Sequence, residues 1–163
     1  MALVLTGSGV ITGLSSQLAD ANMPAGSVLQ VVQATSTTQV TTTSGSWTTT
    51  GLAASITPTS STSNILVLVS GGMEGNAGGT GTTKIGFKIY RGASSIEASS
   101  NGKVLLLSSD TYVPINYIAL DSPATTSSTT YTLYFNRLSG NATASFCRDS
   151  AQTANIVLME IAA

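Results

Sequence analysis

The segment Thr83-Lys84-Ile85-Gly86-Phe87-Lys88-Ile89-Tyr90-Arg91 alternates apolar side chains with polar or small ones. A period of two places Ile85, Phe87 and Ile89 on one side of an extended strand and Lys84 and Lys88 on the other. Such a strand has one dry face and one wet face, as expected of an antiparallel sheet that covers a core on one side. The pattern recurs in both directions along the chain. Upstream, Val28 to Ala34 follows the turn-like Pro24-Ala25-Gly26. Thr41 to Thr43 and Ser46 to Thr50 are Thr-rich pieces around Ser44-Gly45, and Leu52, Ala54 and Ile56 alternate until Pro58. Ile65 to Ser70 is a continuous apolar run, which reads as a central strand. Downstream, Ser94 to Ala98 is a candidate return strand after Gly92. Lys103 to Leu107 follows Asn101-Gly102, a hairpin-turn dipeptide. Tyr112 to Leu120, Thr130 to Asn136, Thr143 to Arg148 and Asn155 to Ile161 complete the set. Roughly ten short strands at spacings of about 8–12 residues predict an all-β sandwich or barrel.

Two stretches depart from this pattern. Residues 1–26 hold little that can form a core and read as an N-terminal arm, leaving 27–163 as the sandwich domain. Gly71-Gly72 through Gly81 (GGMEGNAGGTG) reads as a surface loop, making Glu74 and Asn76 candidates for surface or receptor contact. The final run, Ile156 to Ile161, is apolar on both faces apart from Glu160, so something must cover each side. Ile65, Val67, Ile156, Leu158 and Ile161 are accordingly candidates for core or subunit contact.

Charged residues make up only 8% of the chain, against roughly 25% in an average soluble domain. Their place is taken by 24 Ser and 25 Thr. The net charge of −1 gives copies little mutual repulsion, which favours self-association. The six basic residues are scattered, so nucleic acid is not an expected partner. No apolar run approaches the ~20 residues of a spanning helix, so membrane insertion is not expected. The start, Met1-Ala2-Leu3-Val4-Leu5, lacks a basic segment and does not read as a signal peptide.

The chemistry expected is equally sparse. There is no histidine, which removes the commonest general base and metal ligand. The single cysteine, Cys147, excludes an intrachain disulfide and reads as a buried small hydrophobe. Ser100-Asn101-Gly102-Lys103 has Ser-x-x-Lys spacing, but that pair needs a helix, and this one crosses an expected turn. The seven acids form no recognisable pair for glycoside hydrolysis. No catalytic residue, metal ligand or cofactor is expected. The aromatic side chains offer one alternative, a glycan contact. Trp47, beside Gly45, either stacks on a sugar or packs across the sandwich.

Several stretches resemble the structural proteins of tailed-phage virions. Met1-Ala2-Leu3-Val4-Leu5-Thr6-Gly7-Ser8-Gly9-Val10-Ile11-Thr12-Gly13-Leu14 is similar to the N-terminal segment of fibre and virion proteins. Pro24 to Val32 resembles the next element of that group. Ser55-Ile56-Thr57-Pro58-Thr59 through Val67 resembles its apolar-Thr-Pro pattern, followed by a Ser/Thr loop and a strand. Ala154 to Ile161 resembles its last strand. The resemblance implies an antiparallel jelly-roll-like β-sandwich, usually trimeric. It also implies an arm, with Leu3, Val4, Leu5, Val10, Ile11 and Leu14, that ties the subunit to the virion. The expected partners are sister copies, other virion proteins (tail, portal-adaptor or capsid) and a host-surface glycan. The expected role is a fibre or adhesin-type subunit. A capsid decoration or cement protein is one alternative and a carbohydrate-binding module another.

Overall fold

The computed structural model describes residues 23–76, 81–108, 111–148 and 152–163. It also describes the backbone of two short antiparallel strands, β1 (Val4–Leu5) and β2 (Ile11–Thr12). Of the expected arm residues, Leu3, Val10 and Leu14 lie outside the described residues. The body is built from β3 (Val28–Ser36), β4 (Val40–Thr42), β5 (Thr48–Ile56), β6 (Asn64–Asn76), β7 (Thr82–Arg91), β8 (Ser94–Ser95), β9 (Lys103–Ser108), β10 (Thr111–Asp121), β11 (Thr129–Ser139), β12 (Thr143–Phe146) and β13 (Ala154–Ile161). Every ladder is antiparallel, and no helix occurs among the described residues.

The pairings nest. β7 pairs β9, β6 pairs β10, β5 pairs β11, β4 pairs β12 and β3 pairs β13. The body from β3 to β13 is therefore one long hairpin rolled on itself, the topology of a jelly roll. One layer has the order β3-β13-β6-β10, with β12 and β4 continuing it alongside the far half of β6. The other has the order β5-β11-β7, with β8 and β9 along the outer edge of β7.

The core lies between the layers. Ile65, Val67 and Val69 of β6 and Ile156 and Leu158 of β13 are buried, as are Leu52, Ile56, Ile85, Ile89, Leu133 and Phe135 of the other layer. Each such side chain contributes about 1.5–3 kcal/mol on leaving water. That burial, with no disulfide in the chain, carries the fold.

Two polar clusters tie the layers at their edges. Arg91 Nη1 donates to both carboxylate oxygens of Asp121, at 3.0 and 2.8 Å, and the Tyr131 hydroxyl donates to Asp121 Oδ2 at 2.7 Å. Asp121 belongs to one layer, Arg91 and Tyr131 to the other. Burial and the bond to Asp121 push the Tyr131 hydroxyl well above the ordinary tyrosine range. The second cluster centres on Glu160, which is fully buried. Its Oε1 accepts from Thr59 N and Thr59 Oγ1, both at 2.8 Å, and its Oε2 accepts from Gln30 Nε2 at 2.6 Å. Burial alone would raise this carboxyl. The donors around it, Gln30 first, then Ser63 and Thr59, outweigh burial and hold the group below the ordinary glutamate range.

Three expectations are corrected. The Gly-rich stretch is not a loop over its first half, because β6 runs on to Asn76. Gly72 makes room there for the Tyr112 ring of the paired strand: a Cβ would coincide with the Tyr112 hydroxyl, so any larger residue displaces that ring. Ser46–Thr50 and Leu52–Ile56 are not separate pieces. β5 continues through Gly51, and a slip in its ladder with β11 between Thr132 and Tyr134 absorbs the irregularity. Asn101-Gly102 does not close a hairpin, since β8 and β9 run along the same edge of β7. The residues between them leave the ladder but stay against β7: Ile96 N donates to Ile89 O at 3.1 Å, and Glu97 Oε1 takes the Ile89 N–H at 3.2 Å.

Candidate functional site

The two outer faces of the sandwich are chemically different. On the β3-β13-β6-β10 layer, strand alternation sends Val31, Met159, Leu66 and Leu120 outward in one cross-strand row. The next row is Gln33, Val157, Leu68 and Ile118, and the next is Thr35, Asn155, Ser70 and Asn116. Two rows dominated by apolar side chains thus face outward, bounded by a fully polar row. Val31 is 55% exposed, Ile118 66% and Leu120 64%. Leu66, Leu68, Val157 and Met159 are half-buried. A shallow depression on this face is lined by Leu68, Ile118, Val157, Ser70, Asn116 and Asn155. Single exposed apolar residues need no explanation, but a contiguous patch rimmed by polar residues marks an interaction surface.

The sequence-derived candidates divide around this surface. Ile65, Val67, Ile156 and Leu158 are fully buried in the core, and Ile161 is half-buried at the end of β13. Their immediate neighbours Leu66, Leu68, Val157 and Met159 form the outward patch. Naming the buried half of each strand missed these residues. An apolar run with no polar alternation already requires a cover on both faces, and that signal identifies them. Ile118 and Leu120 carried the same signal within Tyr112 to Leu120.

Glu74 is not a loop residue. It is buried within β6, with its Oε1 3.5 Å from Arg148 Nε, while Asn76 is exposed at the strand end. Trp47 does not pack across the sandwich. It lies on the outer face of the second layer, against Gly86, and the Lys88 ammonium stands 4.6 Å from the centre of its ring. Tyr117 and Tyr131 are core residues, whereas Tyr90 and Tyr134 stack on that same outer face with ring centres 4.3 Å apart. Cys147 is buried, as expected, in a left-handed backbone conformation (φ 50°). Val4, Leu5 and Ile11 of the expected arm lie in the β1–β2 ribbon.

No family model and no curated protein matches the chain. Among solved structures, a chain of infectious bursal disease virus (Gx strain) is similar to it, with a TM-score of 0.40 and 13% sequence identity. The similarity covers 82% of this chain and 37% of the viral one, so the chain spans well under half the length of that neighbour.

Proposed function

We propose that this chain is a non-enzymatic structural subunit of a virion. In this reading it is a homotrimer closed by the outer face of the β3-β13-β6-β10 layer, held to the particle by residues 1–26, with its second layer turned outward towards a host surface. The observation that carries the reading is the pair of apolar rows through Val31, Met159, Leu66 and Leu120 and through Val157, Leu68 and Ile118. A chain with 8% charged residues and a net charge of −1 does little to keep copies apart. Closing this face around an axis removes the apolar rows from water and leaves the polar Thr35-Asn155-Ser70-Asn116 row at the rim. The tailed-phage resemblance of residues 1–14, 24–32, 55–67 and 154–161 supports the particle context. It is compatible with a fibre or adhesin-type subunit and with a capsid decoration protein.

The particle assignment is tested with an antibody against the folded domain on purified virions. Label at the tail supports the fibre reading and label over the head supports decoration. No label on intact particles overturns the virion assignment. Deleting residues 2–23 is expected to leave the sandwich folded and to abolish incorporation.

A further inference from the structure

The outer face of the β5-β11-β7 layer bears an aromatic strip around a buried lysine. Thr49, Tyr134 and Lys88 share one cross-strand row, and Tyr90 lies in the next. Trp47 extends across the sheet so that its ring would stand 3.0 Å from a Cβ at Gly86. Asn136 Oδ1 at 2.6 Å and Asn101 O at 2.7 Å come closer still, so glycine here accommodates all three groups that cover the strand. The result is a strip running Trp47, Lys88, Tyr134 and Tyr90, with the two tyrosine rings stacked. Trp47, Tyr90 and Tyr134 all keep part of their surface in water.

Lys88 is the unusual member. It is only 6% exposed, yet no carboxylate pairs with it among the described residues; the Trp47 ring is its partner. A lysine this enclosed is ordinarily paired. Beside it, Asn136 gives its Nδ2 to Gly45 O at 2.8 Å, and its Oδ1 is buried without a hydrogen-bond partner. Such an oxygen only accepts, so it matches a hydroxyl donor and not the anion. An aromatic platform next to a cation with no carboxylate partner among the described residues suits a flat, hydroxylated ligand carrying an anion. The C–H face of a pyranose stacks on an indole, and a carboxylate makes a charge-assisted hydrogen bond to an ammonium. Cationic ligands are disfavoured by Lys88, and phosphate-rich polymers find no cluster of basic residues.

We infer that Trp47, Lys88 and Tyr134 form a binding site for a carboxylated saccharide, with the sugar ring stacked on Trp47 and its carboxylate on the Lys88 ammonium. This deepens the host-contact reading without resting on the trimer, so a failed titration leaves the subunit mass unaffected.

Trp47 is the chain's one tryptophan, so its fluorescence reports on the site directly. The full-length protein is titrated with oligogalacturonate, alginate and hyaluronan oligosaccharides, each beside its methyl-esterified counterpart. The expected result is a saturable change with at least one acid and weakening by about tenfold or more in its ester. Lys88→Met, which keeps the stem and removes the charge, is expected to erase the acid-over-ester preference while preserving the circular-dichroism spectrum. Tyr134→Ala is expected to weaken acid and ester alike. If none of the three acids gives a saturable change, or acid and ester bind equally, the site is overturned. It is overturned equally if the preference survives in Lys88→Met. A Trp47 that serves only to cover Gly86 predicts these negative results. Should Lys88→Met fail to fold, Lys88→Arg, which keeps the charge, is expected to retain the preference, and its loss there also overturns the assignment.

Discussion

Replacing Glu160 by glutamine tests how far one buried carboxylate controls the lower edge of the sandwich. Glu160 is fully buried and accepts three hydrogen bonds of 2.8 Å or less, from Thr59 N, Thr59 Oγ1 and Gln30 Nε2. These bonds fix the turn between β5 and β6 to the C-terminal strand and to β3. In Glu160→Gln the amide oxygen can still serve Thr59, but the amide nitrogen then faces the Gln30 amide, donor against donor. One charge-assisted bond is lost outright, worth about 1.5–3 kcal/mol, and the remaining two lose their charge assistance. The expected destabilisation is about 2–4 kcal/mol, or a fall in Tm of roughly 5–15 °C for a domain of this size. The assay is urea and thermal unfolding of wild type and variant at equal protein concentration, since a self-associating chain is concentration-dependent.

The pH dependence has a definite sign. The folded-state pKa of Glu160 is lowered, so its contribution is fully present above the unfolded value of about 4.3 and is lost as pH falls through the lower folded value. The wild-type advantage over Glu160→Gln should therefore be constant from pH 7 to about 5 and shrink below about 4. A variant within about 0.5 kcal/mol of wild type at pH 7 would refute the reasoning. So would an advantage that grows on acidification.

Asp121→Asn removes the anion that holds Arg91 and Tyr131 across the layers; it is expected to cost about 2 kcal/mol in urea unfolding. Tyr131→Phe is expected to cost about 1–2 kcal/mol, because it removes the single bond from a buried ring to the same carboxylate. Gly72→Ala forces the Tyr112 ring out of its place over β6, and about 1–3 kcal/mol lost in thermal unfolding is the expected reading. A Gly72→Ala protein as stable as wild type would show that β6 does not need glycine there.

Most of the strands were legible in the sequence because their alternation reflects a fixed geometric period. Thr83 to Arg91 and β7 differ by one residue, as do Asn155 to Ile161 and β13. The extension of β6 through Gly71, Gly72 and Gly75 was not legible. Glycine is poor strand material by propensity, and the close approach of Tyr112, Phe146 and Ala154 that Gly71 and Gly72 accommodate comes from elements distant in sequence. Glu74 was misplaced for the same reason. The position of Trp47 depends on Gly86 two strands away, a relation that lies in the register and not in local pattern. The outward patch was half visible. The apolar runs declared two covered faces, but which side chains turned outward was fixed only by the ladder between β6 and β13.

Light scattering of the full chain at micromolar concentration, beside the double variant Leu68→Lys/Ile118→Lys, measures whether the outward rows are covered by sister copies. The account predicts three times the 16.5 kDa chain mass for wild type and a single chain mass for the folded variant. Wild type at 16.5 kDa, or a variant that remains trimeric, would contradict it.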